Sequence, residues 1–451
     1  MRLRSANRGN ANNTWNVNSN GNVNNNNAYN ANRGCPDCSA WATRLACSVG
    51  TPKKLKDTGS RMPSRKGKQH FGDAAILLKR YCPLLLRGFF MRNFDESLEF
   101  EALYESMWKC KRGKMWKASV AGFVCHGIER TLQLEKELKT GTYLPRKPHT
   151  FQLTYPKLRP CSSTHIRDRI VQRSLNDNVI YPAMTRGFIW DNMACQKGKG
   201  TTLAMDRLDV FLHRYFINNG SNTGFVLQAD VHGYYRNMRH VDARRCFRRR
   251  LDEKTVDASM KWLQRQYPTD IGYEPGSQMV QILGISLLDP MDHAAKEKVR
   301  AKLYERYMDD FFIISNDYGF LEQCRDLFSE QLALLGMELH PDKTRIYPLK
   351  DGIPFLGFSF RLTETGKVIR IISSKNVKHE RKKLLKMANM VKKGEMTKEK
   401  FFSCYGAWKA HALKGNSYKL LQRMDQYVKS LMEGITDGNY PADSTDCRTS
   451  H

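Results

Sequence analysis

Apolar and polar positions along the chain fall into strand-like and helix-like stretches, and the sharpest break among them is a pair of aspartates. Residues 303–315 read LYERYMDDFFIIS: an apolar and aromatic run leads in, Asp309 and Asp310 interrupt it, and Phe311-Phe312-Ile313-Ile314 leads out. Strand formers on both sides of a polar break predict a β-hairpin whose turn carries the carboxylates. A second strand is predicted over residues 224–230 (GFVLQAD), apolar until it ends in Asp230, and an alternating one over 151–155. Helical spacing predicts a helix over 129–139, stopped by Gly141 and Pro145. Another carries Leu98, Leu103 and Met107 behind Asn93 or Asp95 as cap. The segment 275–281 opens an apolar helix through Ile282, Ile285 and Leu288, and 321–335 is amphipathic. Residues 374–433 read as helical, with Trp408, Tyr418 and Leu421 as core. The mixture predicts an α+β fold.

The ends differ from this middle. Of the first 32 residues 14 are Asn, and a segment so poor in aliphatic residues cannot bury enough surface to fold, so 1–33 is expected to be disordered. Residues 34–90 carry mixed charge, Gly and Pro with little periodicity and read as spacer. Met91 opens the first segment with a folded pattern and is the candidate start; 437–451 reads as a polar tail. Cys35-Pro-Asp-Cys38 has zinc-ligand spacing, but no second pair follows at a suitable distance. Twelve scattered cysteines fit a reducing, cytoplasmic setting.

Charge narrows the partner. Against 45 Asp+Glu stand 74 Lys+Arg, a net +29, which points to a polyanion and foremost to nucleic acid. No apolar run approaches a membrane-spanning length, and Arg87 interrupts the nearest one. Two adjacent carboxylates near a core need cationic compensation, and hard oxygen ligands suit Mg²⁺. With Asp230 as a third ligand beside Asp309 and Asp310, the set would cage two metal ions for phosphoryl transfer.

The order D-x-x-G-Y-Y (Asp230 to Tyr235) followed downstream by Y-M-D-D (Tyr307 to Asp310) resembles the palm of reverse transcriptases. The resemblance implies a right-hand polymerase fold: N-terminal helices and fingers over 91–223, palm over 224–362, a helical thumb over 363–436. It implies an RNA-directed DNA polymerase that uses two Mg²⁺, with Mn²⁺ as a substitute, on template RNA, a cDNA primer–template and dNTPs. Lys157 and Arg159 match a basic fingers segment that folds over the triphosphate; binding to nucleic-acid backbone is the alternative. Arg169, in HIRDRIVQ, would frame the nucleotide pocket, or else pair with an internal carboxylate. Tyr235 falls at the family's steric gate, under the sugar; core packing is the plain alternative. Gln281 aligns with a glutamine that touches the template base and incoming nucleotide, with Gln278 as fallback; a glutamine merely starting a helix is the plain alternative. Lys343, in HPDKT, matches a lysine that sits near the triphosphate as a proton donor; a solvated turn lysine is the alternative. Basic clusters at 381–383 and 392–393 would face nucleic-acid backbone, and Arg244, Arg245, Arg248, Arg249 and Arg250 form a basic helical face, on nucleic acid or solvated.

The Asn-rich start and Gln281 make the chain look like a diversity-generating retroelement reverse transcriptase. In that family the template RNA is rich in Asn codons, the enzyme errs at template adenines, and a small basic accessory oligomer is a partner. Retron, group II intron and phage-defence enzymes are the rival subclasses. A non-catalytic RNA-binding scaffold with a palm-like fold is the rival of another class.

Overall fold

The structure is a computed structural model that describes residues 92–153 and 159–433. The Met91 start, the Asn-rich segment, the Cys35–Cys38 pair, Lys157 and the 437–451 tail lie outside the described residues.

Three helices come first: α1 (Phe100–Lys111), α2 (Ala118–Cys125) and α3 (Gly127–Lys139). Strands β1 (His149–Leu153) and β2 (Arg159–Ser163) pair as an antiparallel ribbon. Helix α4 (Ile166–Leu175) passes through a π-turn into the short α5 (Tyr181–Thr185), and the long α6 (Thr201–Asn219) ends at Gly220 with φ +67°. Next come β3 (Phe225–Asp230), α7 (His240–Arg248), α8 (Glu253–Gln266), α9 (Gln278–Leu287) and α10 (Asp289–His293). The hairpin β4 (Tyr304–Tyr307) and β5 (Asp310–Ser315) follows, then α11 (Tyr318–Leu334) and β6 (Arg345–Pro348). A second antiparallel sheet, β7 (Ile353–Phe355), β8 (Phe358–Leu362) and β9 (Val368–Ile372), leads to α12 (Ser374–Lys392), α13 (Lys398–Ala412) and α14 (Tyr418–Met432).

The central sheet has the order β4-β5-β3-β6, antiparallel throughout. Strand β5 is apolar without alternation because both its faces are covered. Successive side chains point to opposite sides: Phe311 meets Phe328 of α11 at 4.8 Å between ring centres, and Phe312 meets Phe355 of β7 at 5.2 Å. Each fully buried phenyl ring contributes about 1.5–3 kcal/mol, so the hairpin is anchored on both sides. Helix starts are capped as their sequences suggest: Asp252, Asp317, Ser373 and Thr397 accept backbone N–H groups in the first turns of α8, α11, α12 and α13.

Three expectations need correction, and a fourth gains detail. The first helix is two elements, because Asn93 and Glu96 cap each other reciprocally around a 3-10 turn (Glu96–Leu98) and Glu99 is extended before α1 begins. The strand expected over 151–155 begins two residues earlier, where His149 finds its cross-strand partner Ser163. Tyr418 is not core but 75% exposed: it is the first residue of α14, where the apolar stripe has run past its packing partners. The arginines of α7 and of the two residues after it, expected on nucleic acid or solvated, are internally partnered, with Arg245 and Arg248 still largely exposed. Arg244, Arg245, Arg248 and Arg250 pair with Asp257, Asp242, Glu253 and Asp289, and Arg249 donates to the Ser286 carbonyl.

Candidate active site

The three aspartates meet through strand register. Asp230, at the end of β3, stands directly opposite Asp310, the first residue of β5, and Asp309 occupies the β4–β5 turn. The turn is tight: Met308 lies in the left-handed region at φ +59°, and the Asp309 carbonyl accepts the Val231 N–H just beyond Asp230. Burial, then the charges of Asp309 and Asp230 and a side-chain hydrogen bond with Asp230, hold the Asp310 carboxyl well above the usual carboxylate range; Lys343 pulls it back. Among the described residues, no three His, Cys, Asp or Glu side chains already stand in the arrangement of a metal site. The donor set, three carboxylates gathered at one end of the sheet, still fits a hard divalent cation, whose charge would offset their mutual repulsion.

Lys343 donates from Nζ to Asp230 Oδ1 at 2.8 Å and is half exposed. Its HPDKT segment is fixed where the His340 N–H binds the Asp230 carbonyl at 2.8 Å. Asp230, Asp310, Asp342, Lys343 and Arg345 line one cleft of about 260 Å³.

Beside the aspartates, the ring of Tyr235 lies on α9. The methyl group absent from Gly284 would stand 2.7 Å from the Tyr235 hydroxyl, so glycine seats the ring. Tyr234 donates to the Gly284 carbonyl, and burial raises the Tyr235 hydroxyl pKa well above its ordinary value. Gln281 is in the first turn of α9, partly exposed, with its N–H on the Ser277 carbonyl. That end of α9 is clamped to α4 and β2. The cap Ser277 donates to Gln172 at 2.9 Å, Gln172 donates to Gln266 at 2.7 Å, and a Cβ on Gly276 would strike the Ser162 carbonyl. Gln278 is the first residue of the same helix.

Arg169 is anchored by hydrogen bonds to Ser163 Oγ and the Thr164 carbonyl, at 3.1 and 3.0 Å, and burial lowers its pKa. Positive charge collects around it: Lys114 is pushed down to about 8, first by burial and then by Arg169. Arg159 opens β2 opposite Leu153. The strand register thus gathers Asp230, Asp309 and Asp310, and Lys343 joins them by an ion pair. Tyr235 packs on α9, the helix that carries Gln281, and Arg169 is tied to the β2–α4 junction.

Sequence reading passed over two groups, Gly284 and the buried Arg306–Asp292 pair. For the second a signal was present: a charge inside the otherwise apolar run before the aspartate turn.

Residues 146–360 match the family model described as reverse transcriptase (RNA-dependent DNA polymerase). This stretch is therefore a reverse transcriptase domain, and its mixed helices and antiparallel sheets have the right-hand polymerase fold. Such domains use divalent metal ions. Among solved structures, the chain is similar to telomerase from Candida albicans in complex with a fragment of telomeric RNA. Identity there is 12%, over 64% of this chain and 55% of that one, with a TM-score of 0.40. It is also similar to apo telomerase from Candida tropicalis, at 12% identity over 54% of this chain and 60% of that one, with a TM-score of 0.37. The chain spans just over half the length of these structures. No protein of curated function matches it. Among the described residues, no helix is long and apolar enough to cross a membrane.

Proposed function

We propose that the protein copies an RNA template into cDNA as a diversity-generating reverse transcriptase, misincorporating at template adenines so as to diversify a variable protein. The observation that carries the polymerase reading is the pairing of Asp230 with Asp310 across β3 and β5, with Asp309 in the adjoining turn, inside the matched stretch 146–360. The diversity-generating assignment rests on the Asn-rich segment and on Gln281.

In this reading Asp230, Asp309 and Asp310 hold two Mg²⁺ ions, for which Mn²⁺ can substitute. When bound, these ions activate the primer 3′-hydroxyl and stabilise the departing pyrophosphate. The remaining work falls to side chains. Lys157 and Arg159 hold the triphosphate, Arg169 frames the nucleotide pocket, and Tyr235, seated on Gly284, lies under the sugar and excludes a 2′-hydroxyl. Gln281 contacts the templating base. Lys343 exchanges its partner Asp230 for the nucleotide's phosphates once cations occupy the carboxylates, and there it donates a proton to pyrophosphate. Fingers, palm and thumb take 91–223, 224–362 and 363–436. Partners are the template RNA, the growing cDNA, dNTPs and a small basic accessory oligomer, in the cytoplasm.

The test is cDNA synthesis by the full chain on the RNA encoded upstream of it, with the products sequenced. Errors concentrated opposite template adenines are expected. Faithful cDNA would return the subclass to retron or phage-defence enzymes; RNA binding without dNTP incorporation under Mg²⁺ or Mn²⁺ would replace the enzyme by a scaffold. Asp309→Asn should abolish synthesis and leave RNA binding intact, and retained synthesis would overturn the metal assignment.

A further inference from the structure

The aspartate turn stands on a charge buried deeper than any of the aspartates. Arg306, in β4, is 0% exposed, and so is Asp292 of α10. The guanidinium donates to both oxygens of Asp292, Nε to Oδ1 at 2.7 Å and Nη2 to Oδ2 at 2.6 Å. Two further bonds leave the pair: Nη1 to the Met308 carbonyl at 2.8 Å, and Nη2 to the Ile285 carbonyl of α9 at 2.9 Å. Asp292 is held in turn by the Tyr304 hydroxyl at 2.6 Å, with Asn192 Nδ2 at 3.5 Å. The Arg306 backbone is pinned as well, its carbonyl accepting the Met193 N–H and its N–H bonding the Asp191 carbonyl.

We propose that the Arg306–Asp292 pair is a positioning device for nucleotidyl transfer, fixing the Met308 peptide so that Asp309 is presented to a divalent cation and holding the turn in register with α9. A left-handed residue without glycine's freedom must be held there by its surroundings. A carbonyl turned inward onto a planar guanidinium sets the peptide plane from which Asp309 departs. The same fork reaches Ile285, one residue past Gly284, so the ligand turn and the helix that seats Tyr235 and carries Gln281 share one anchor. Lysine could satisfy only part of this set, because its single ammonium has no fork to span a carboxylate and two carbonyls. The reading rests on the proposed polymerase for its reaction, but the device acts on cation binding, which can be read without turnover.

The test compares three forms of the full chain with the parent: Arg306→Lys, Arg306→Met combined with Asp292→Asn, and Phe401→Leu. The second removes both buried charges together while keeping an acceptor for Tyr304, so no lone ion is left inside. The third disturbs a buried ring in α13 far from the turn in sequence and controls for lost stability. Mn²⁺ binding to the free protein is followed by electron paramagnetic resonance, thermal melting by circular dichroism, and the Mg²⁺ half-saturation of primer extension by product yield. Both Arg306 variants should stay folded and bind Mn²⁺ about tenfold or more weakly, the scale of one lost charged hydrogen bond. Their Mg²⁺ half-saturation should rise in step while template KM stays unchanged, and Phe401→Leu should lower the melting temperature with neither metal value moved. Folded Arg306 variants with parental Mn²⁺ binding would overturn the proposal. So would unfolding of both, which would make the pair a core element and not a device of the turn. If the parent binds Mn²⁺ as expected yet incorporates no nucleotide, the polymerase reading fails and the clamp stands.

Discussion

Gly284→Ala tests whether Tyr235 is seated as the geometry requires. A Cβ at this position would lie 2.7 Å from the Tyr235 hydroxyl oxygen and 3.1 Å from two ring carbons, whereas ordinary contact begins at 3.4 Å. The ring must therefore retreat by roughly 0.7 Å. It is not a loose side-chain end, since its backbone carbonyl accepts the Tyr273 N–H at 2.8 Å and the ring packs at 5.4 Å on Tyr234. Two effects compete. Alanine is favoured over glycine inside a helix by about 1 kcal/mol, and overpacking a well-filled site costs about 1–3 kcal/mol. Packing should win, leaving Gly284→Ala destabilised by up to about 2 kcal/mol.

Tyr235→Phe removes the atom at 2.7 Å and keeps the ring, so adding it to Gly284→Ala should recover most of that loss. The coupling between the two changes should be about 1 kcal/mol, as expected for side chains in contact. Urea unfolding of the parent, both single variants and the double variant gives the cycle. Single-nucleotide incorporation with dNTP and rNTP gives the functional half: a ring pushed toward the sugar should change discrimination between them. Gly284→Ala that is neutral or stabilising, or that adds independently to Tyr235→Phe, would refute the seating argument.

Gln281→Ala should alter errors at template adenines more than at other bases, read from sequenced cDNA. Gln281→Pro is a poorer probe, because it also deletes the Gln281 N–H bond to the Ser277 carbonyl. Lys343→Met should slow incorporation but change stability by less than about 1 kcal/mol, since its bond to Asp230 is half exposed; unchanged single-turnover rates would remove Lys343 from the reaction. Glu305 is fully buried, and burial, helped by Asp191 and opposed by Arg207 and Lys296, holds its carboxyl well above the usual range. A raised folded pKa means that its contribution is fully present in acid and is lost as pH rises from the ordinary glutamate value through the folded one. Glu305→Gln should therefore raise the melting temperature at neutral pH and barely change it in acid; a variant that melts lower at neutral pH would show that Arg207 and Lys296 outweigh burial.

The parts of the site legible in the sequence are those written in local pattern. Two aspartates cut an apolar run, a third ends a strand, and hairpin geometry brings the first two to the turn; pairing of β3 with β5 was the one long-range step needed. The helical stripes were local as well. Lys343 was placed near the chemistry, although not on Asp230, because a turn lysine can reach several partners and only the path of the chain selects one. Tyr418 shows the limit of periodicity, which assigns a residue to a stripe without saying where along the helix the neighbour ends.

Arg306 marks a different boundary. An arginine between Tyr304 and Tyr307, in a run expected to be buried, already required a partner, since a lone charge cannot be left in the interior. That partner's existence could be inferred from the strand alone. Its identity could not, because Asp292 sits on α10, in a stretch with no strand or turn signature linking it to the hairpin. Nor could the sequence reveal that the fork has donors left for Met308 and Ile285, which turns a buried ion pair into a link between the aspartate turn and helix α9. In a strand next to a turn of paired carboxylates, an unexplained buried charge is thus a reason to look for a support beneath the turn before assigning it to the carboxylate set itself.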